Sequence, residues 1–163
     1  MENKNLNLND FVLFLLKTNE DIQGRINILP EDREGLSNLK IQKLIYFIEA
    51  SFLVKFNRKL FSQNFEAWEY GPVIPSLYHV LKKFERKPIF YEEFKKNGNY
   101  KNITTSLNKE ELSFLEETFI RFNKFSSFEL VTLSHIYGPW KEVAKNEEIT
   151  KEAMKNFFHN INN

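Results

Sequence analysis

A mainly α-helical fold, a compact bundle of about six helices carrying a small β-hairpin or short-strand element, is what this sequence predicts. Three observations carry the prediction. Apolar residues recur with helical period in several segments; capping signatures punctuate the second half; and a short region crowds Trp68, Tyr70, Gly71, Pro72 and Pro75 together where backbone freedom is scarcest. The chain has 163 residues and 42% hydrophobic content, which fits one domain over 1–163 burying roughly two thirds of the surface its unfolded form exposes.

Leu8, Phe11, Val12, Leu15 and Leu16 form one helical stripe, so a first amphipathic helix is expected over Leu8 to Lys17. From Thr18 to Gly35 the pattern dissolves into polar residues, and a loop is expected there. Ser37 is placed to cap a second helix whose main stripe is Ile41, Leu44, Ile45, Ile48 and Phe52, with Leu39, Phe47 and Phe56 on other faces. A helix apolar on several sides must be surrounded, which makes it the centre of the bundle.

After Asn57 the residues Leu60-Phe61 and Phe65 to Trp68 are short extended candidates. Gly71-Pro72 marks a turn, and Pro75 suits the first position of a third helix, where its missing N–H costs nothing. Ile74, Leu77, Tyr78 and Leu81 are expected to face inward. Between Pro88 and Thr105, IFYEEF and YKNITT flank Asn97-Gly98, the pair favoured in two-residue hairpin turns, so a β-hairpin is expected there.

The second half is more sharply punctuated. Asn108 with Glu111 forms a capping box, and Ser126 or Ser127 with Glu129 repeats it, stapled by Phe125 or Phe128 to Leu130; Thr150 marks a third start. The inward faces are Leu112, Leu115, Phe119 and Phe122, then Leu130, Leu133 and Tyr137, then Met154, Phe157 and Phe158. Gly138-Pro139 stops the helix before it, and Trp140 follows directly.

Charge and composition exclude several classes. Lysine and arginine number 23 against 22 aspartates and glutamates, so no overall charge draws the chain to nucleic acid. Between positions 82 and 101, however, Lys82, Lys83, Arg86, Lys87, Lys95, Lys96 and Lys101 outnumber Glu85, Glu92 and Glu93. With Phe90, Tyr91, Phe94 and Tyr100 among them, this Lys82–Lys101 basic hairpin is a candidate nucleic-acid surface. The absence of cysteine removes thiolate metal sites and cysteine nucleophiles and fits a cytoplasmic protein. The longest apolar run, FVLFLL, is far short of a membrane span.

No HExxH, GxSxG, P-loop or dinucleotide-binding pattern is present. His79, His135 and His159 fall on separate expected helices, which argues against a shared metal, and Glu66 and Glu69 fall on opposite faces of an extended segment, which argues against a carboxylate pair. Neither a catalytic residue nor a cofactor is expected. Trp68 and Tyr70 share a face with each other and, together with Trp140, suit an aromatic docking surface that Lys43 and Tyr46, at i and i+3 on the central helix, would border. The two tryptophans equally suit a core with their N–H groups satisfied. His135, Gly71, Pro72, Pro75, Gly138 and Pro139 read as structural turn residues.

LKIQKLIYF, the Leu60-Phe61 pair, FEAWEYGPVIPSLY and LVTLSHIYGPW resemble, in order and spacing, the Panacea domain family, which includes SocA-like antitoxins and phage-associated proteins. The resemblance runs from Leu8 to Phe158. It implies an antitoxin of a toxin–antitoxin system that neutralises a cognate toxin, encoded by an adjacent gene, through direct protein–protein binding. It also allows a proteolysis adaptor that delivers its toxin for degradation, and the Thr18 to Gly35 segment is longer than the family usually has.

Overall fold

The computed structural model describes residues 5–161. Among them run seven helices, α1 (Leu8–Arg25), α2 (Asn38–Phe56), α3 (Pro75–Leu81), α4 (Tyr91–Lys95), α5 (Lys109–Asn123), α6 (Ser127–Ile136) and α7 (Lys151–Ile161), with three short strands, β1 (Phe65–Trp68), β2 (Gly71–Val73) and β3 (Glu148–Ile149). The strands form one antiparallel sheet in the order β2-β1-β3. The expected class, mainly α with a small β element, is the one observed.

Helix α2 is the axis. Ser37 Oγ accepts the Lys40 N–H at its start, and Asn57 closes it in the left-handed conformation with φ 54°. Ile41, Leu44, Ile45, Ile48 and Phe52 are completely buried, and Phe47 is nearly so, because α5, α6, α7, α3 and β2 all pack on this helix. Phe47 stacks on Phe122 at 4.8 Å and meets Phe158 edge-on at 6.1 Å. The expected caps are all present: Asn108 and Glu111 exchange hydrogen bonds, Ser126 does the same with Glu129, and Thr150 Oγ1 accepts from Ala153.

Helix α1 runs eight residues past Lys17, where a loop was expected. The stripe continues with amides instead of hydrocarbons: buried Asn19 donates to the Glu34 carbonyl at 2.8 Å, and Gln23 both donates to that carbonyl and accepts the Glu34 N–H at 2.7 Å. Polar side chains that bond a returning strand of chain lie on an inward face without lowering their polarity. The connection to α2 is thereby shortened to a 3₁₀ turn at Pro30–Asp32 and its flanks.

The hairpin expected between Pro88 and Thr105 is absent; the segment folds as α4 and a 3₁₀ turn at Ile103–Ser106. Two of its backbone donors go to α1, Tyr91 N–H to Glu20 at 2.8 Å and Lys101 N–H to Asp10 at 2.9 Å, and Ile89 pairs with Leu36 in an isolated antiparallel bridge instead of with a second arm of the segment. Phe94 is completely buried and stacks on Tyr100 at 4.7 Å. The only hairpin among the described residues is β1–β2, with the two-residue turn Glu69-Tyr70. Gly71 and Pro72, expected as a turn, begin β2, an edge strand, where a proline is tolerated. Tyr78 and Tyr137, expected inward, are 38% and 47% exposed. Tyr78 lies edge-on to Trp68, and Tyr137 has already left the helical conformation.

Just beyond α3, Phe84 to Lys87 form a turn closed by the Lys87 N–H on the Phe84 carbonyl, with Glu85 at φ 55° and ψ −126°. Those angles are the second position of a type II′ turn, which glycine fits and a side chain strains. Glu85→Gly is expected to raise stability by about 1 kcal/mol, strain relief offset in part by the flexibility glycine adds to the unfolded chain. A lowered melting temperature would contradict this.

Candidate docking groove

Three stretches distant in sequence meet on one side of α2. In β2 the Pro72 carbonyl accepts from Lys43 Nζ at 2.8 Å, and just after it the Ile74 N–H and carbonyl are both held by the carboxamide of Gln42, at 3.0 and 3.3 Å. Gly71, at φ 98°, brings the backbone so close that a Cβ there would lie 2.5 Å from Ser134 Oγ and 2.8 Å from Lys43 Cε. The segment after α6 closes the other end. Gly138 passes over the Tyr46 hydroxyl, Trp140 stacks on His135 with ring centroids 3.8 Å apart, and Trp140 Nε1 donates to the Trp68 carbonyl at 2.7 Å.

Lys43 and Tyr46 therefore do not border a surface; both are completely buried. Lys43 holds the β2 backbone from beneath and Tyr46 lies under Gly138, because other elements cover α2 at this level. Lys43 has no carboxylate partner among the described residues, and burial lowers its pKa to about 7. Burial likewise raises that of Tyr46. His135 is pushed below its ordinary range by burial and then by the nearby Lys43 charge, against the Glu69 backbone, which favours its proton. Its ring face stacks on Trp140, the residue that follows Gly138-Pro139.

Trp68 is half-buried, its indole N–H bonded to Glu66 at 3.0 Å, while Tyr70 is 58% exposed at the hairpin tip. Both line a groove of about 960 Å³. Its walls are the first turn of α2 (Ser37, Asn38, Leu39), the hairpin, the outer face of α3 with the turn after it (Tyr78, Lys82, Glu85, Arg86), and the first turn of α6 (Ser127, Phe128). Lys145 and Asn146 close it. Trp140, half-buried, stands behind the groove and braces Trp68 without lining it. Glu69 lines the groove while Glu66 is spent on the Trp68 indole, so the two carboxylates do not converge.

Tyr78 and Phe128 are groove residues that sequence reasoning missed. Phe128 is 70% exposed and does not serve as a staple of α6, while Phe125 packs against the core; a large apolar residue at the second helical position with no inward role was its signal. In the basic stretch the aromatics turn inward. Phe94 is buried and Tyr91 is covered by Lys17 and Lys95, so the cations Lys82 to Lys101 carry no exposed row of rings for base stacking. Among the described residues no group of three or more His, Cys, Asp or Glu could hold a metal, and no helix is long and apolar enough to cross a membrane.

The family described as Antitoxin SocA-like, Panacea domain, matches residues 41–141, a span that contains all three converging stretches. Antitoxin SocA of Caulobacter vibrioides (strain NA1000 / CB15N) is 33% identical over 132 residues, covering 76% of this chain and 70% of that protein. No solved structure matches the chain.

Proposed function

Because the chain belongs to the SocA-like antitoxin family built on the Panacea domain, we propose that it is an antitoxin that neutralises a partner toxin by direct protein–protein contact, without chemistry of its own. The observation that carries the contact mechanism is the groove with its aromatic margin. Tyr70, Tyr78 and Phe128 are large rings left exposed around one concavity, which is how interface anchors are presented. The hairpin that carries Tyr70 is held at Trp68, Pro72 and Ile74 by Trp140, Lys43 and Gln42, so this part of the surface is pre-organised and its ordering cost on binding is small. The toxin is taken to be the product of an adjacent gene, and the complex to form in the cytoplasm.

The test is growth rescue. Expressed alone, the neighbouring gene is expected to arrest growth, co-expression with this chain to restore it, and the two proteins to co-purify. Tyr70→Ala and Phe128→Ala are each expected to weaken the complex by about tenfold while leaving the melting temperature unchanged, since truncating an interface anchor costs upwards of 1 kcal/mol. Absence of both rescue and complex overturns the proposal.

A further inference from the structure

The groove carries a charge pattern as well as an apolar floor. Leu39 and Val73 line its base, and Lys82, Arg86 and Lys145 stand around it. All three cations are exposed, and among the described residues none is in an ion pair; the pairs present lie elsewhere, at Lys17–Asp21, Arg25–Glu116, Arg58–Glu111 and Lys151–Glu49. The helix α2, 19 residues long, and the 10-residue α6 both open onto the groove with their first turns, adding the partial positive charge of two helix N-termini.

Two carboxylates, Glu69 and Glu85, also line the groove and would repel a continuous row of phosphates while leaving room for spaced acidic side chains.

We propose that the groove seats an acidic segment of the partner protein, one large apolar side chain lying on Leu39 and Val73 and its aspartate or glutamate side chains meeting Lys82, Arg86 and Lys145. This rests on the antitoxin reading and adds the chemistry of the segment recognised. Much of the attraction comes from exposed charge, so it acts at short range and fades with salt.

Fluorescence anisotropy with labelled peptides tests it directly. The probe is a peptide of about 12 residues, rich in Asp and Glu with a central Phe; the controls replace the Phe by Ser, replace the acids by Lys, or substitute single-stranded DNA of equal charge. The acidic Phe peptide is expected to bind at least about tenfold more tightly than every control, to lose about tenfold between low and physiological salt, and to lose about tenfold again in a Lys82→Glu/Arg86→Glu variant that melts like the original. Equal or tighter binding of DNA makes this a nucleic-acid surface and overturns the proposal. So does no binding of the acidic peptide, no preference among peptides, or indifference to the charge reversal.

The rescue assay keeps the two readings apart. Growth restored by the original chain and equally by the double variant leaves the antitoxin standing and removes the acidic-segment proposal. Failure of both to rescue removes the antitoxin reading itself.

Discussion

Gly71→Ala is expected to cost about 3 kcal/mol of stability, the sum of a strained positive φ and an overpacked contact, each worth roughly 1–3 kcal/mol. The contact cannot relax cheaply. Ser134 is completely buried with its hydroxyl committed to the Val131 carbonyl at 2.7 Å, and Lys43, also completely buried, is committed to the Pro72 carbonyl; the new methyl would meet both. For a chain of this size the melting temperature should fall by about 10 °C. The hairpin tip carrying Tyr70 would shift with it, so partner affinity is expected to drop in the same variant. A melting temperature unchanged within about a degree would mean that the hairpin does not press on α2 as described.

Lys43→Met is expected to act in the opposite direction, and in a pH-dependent way. The lysine is lowered to about 7 by burial in the folded chain against an ordinary value of 10.5. Between those two values the unfolded chain binds more protons than the folded one, so this residue makes stability rise with pH, by on the order of 1 kcal/mol per unit. Below about 7 the buried cation's penalty is fully present; above 10.5 it is gone. Methionine has a similar volume and no charge, and it sacrifices only the bond to Pro72.

The variant should therefore be more stable than the original by about 2 kcal/mol at pH 7, with the difference closing towards pH 10. Lys151, also lowered by burial, and Tyr46, raised by it, contribute to both chains and cancel in the comparison. Denaturant melts at several pH values measure the difference. An independent readout is His135, which is held low by burial and by the Lys43 charge, and whose imidazole resonances should titrate higher in the methionine variant. Parallel stability profiles with an unmoved histidine would contradict the burial of an ammonium at this point.

Local chemistry was legible in the sequence wherever a residue acts on its own backbone neighbours. Asn108 with Glu111, Ser126 with Glu129, Thr150, and Pro75 at the start of α3 all sit where spacing placed them, because a cap is decided within one turn. The all-round apolarity of α2 likewise announced its central position. What stayed hidden was decided at a distance. Asn19 and Gln23 extend α1 because Glu34 comes back to meet them, and Asn97-Gly98 fails to turn a hairpin because Phe94 and the donors of Tyr91 and Lys101 are better placed against α1.

The candidate site followed the same division. Trp68 and Tyr70 both line the groove, whereas Trp140, expected beside them, stays out of it and only donates its indole N–H to the Trp68 carbonyl, a bond that no local pattern encodes. Lys43 and Tyr46 were placed at the border of the docking surface because they share a helical face; the desolvation of Lys43 depends on α6 and β2 arriving over it. Phe128, Asn38 and Lys145 become neighbours only through tertiary convergence.

Helix α7 gives the chain a property of timing. Its Phe158 meets Tyr46 and Phe47 edge-on, its Met154 is completely buried, and its Lys151 supplies the counter-charge to Glu49, a carboxylate with no exposure that also accepts the Leu60 N–H at 2.9 Å. A nascent chain halted before residue 151 would hold a naked core and an orphaned acid, and would be a substrate for proteases before it was anything else. Closure of the core is thus contingent on α7: the ring contacts and the ion pair that complete the burial of α2 exist only once residues 151–158 have docked.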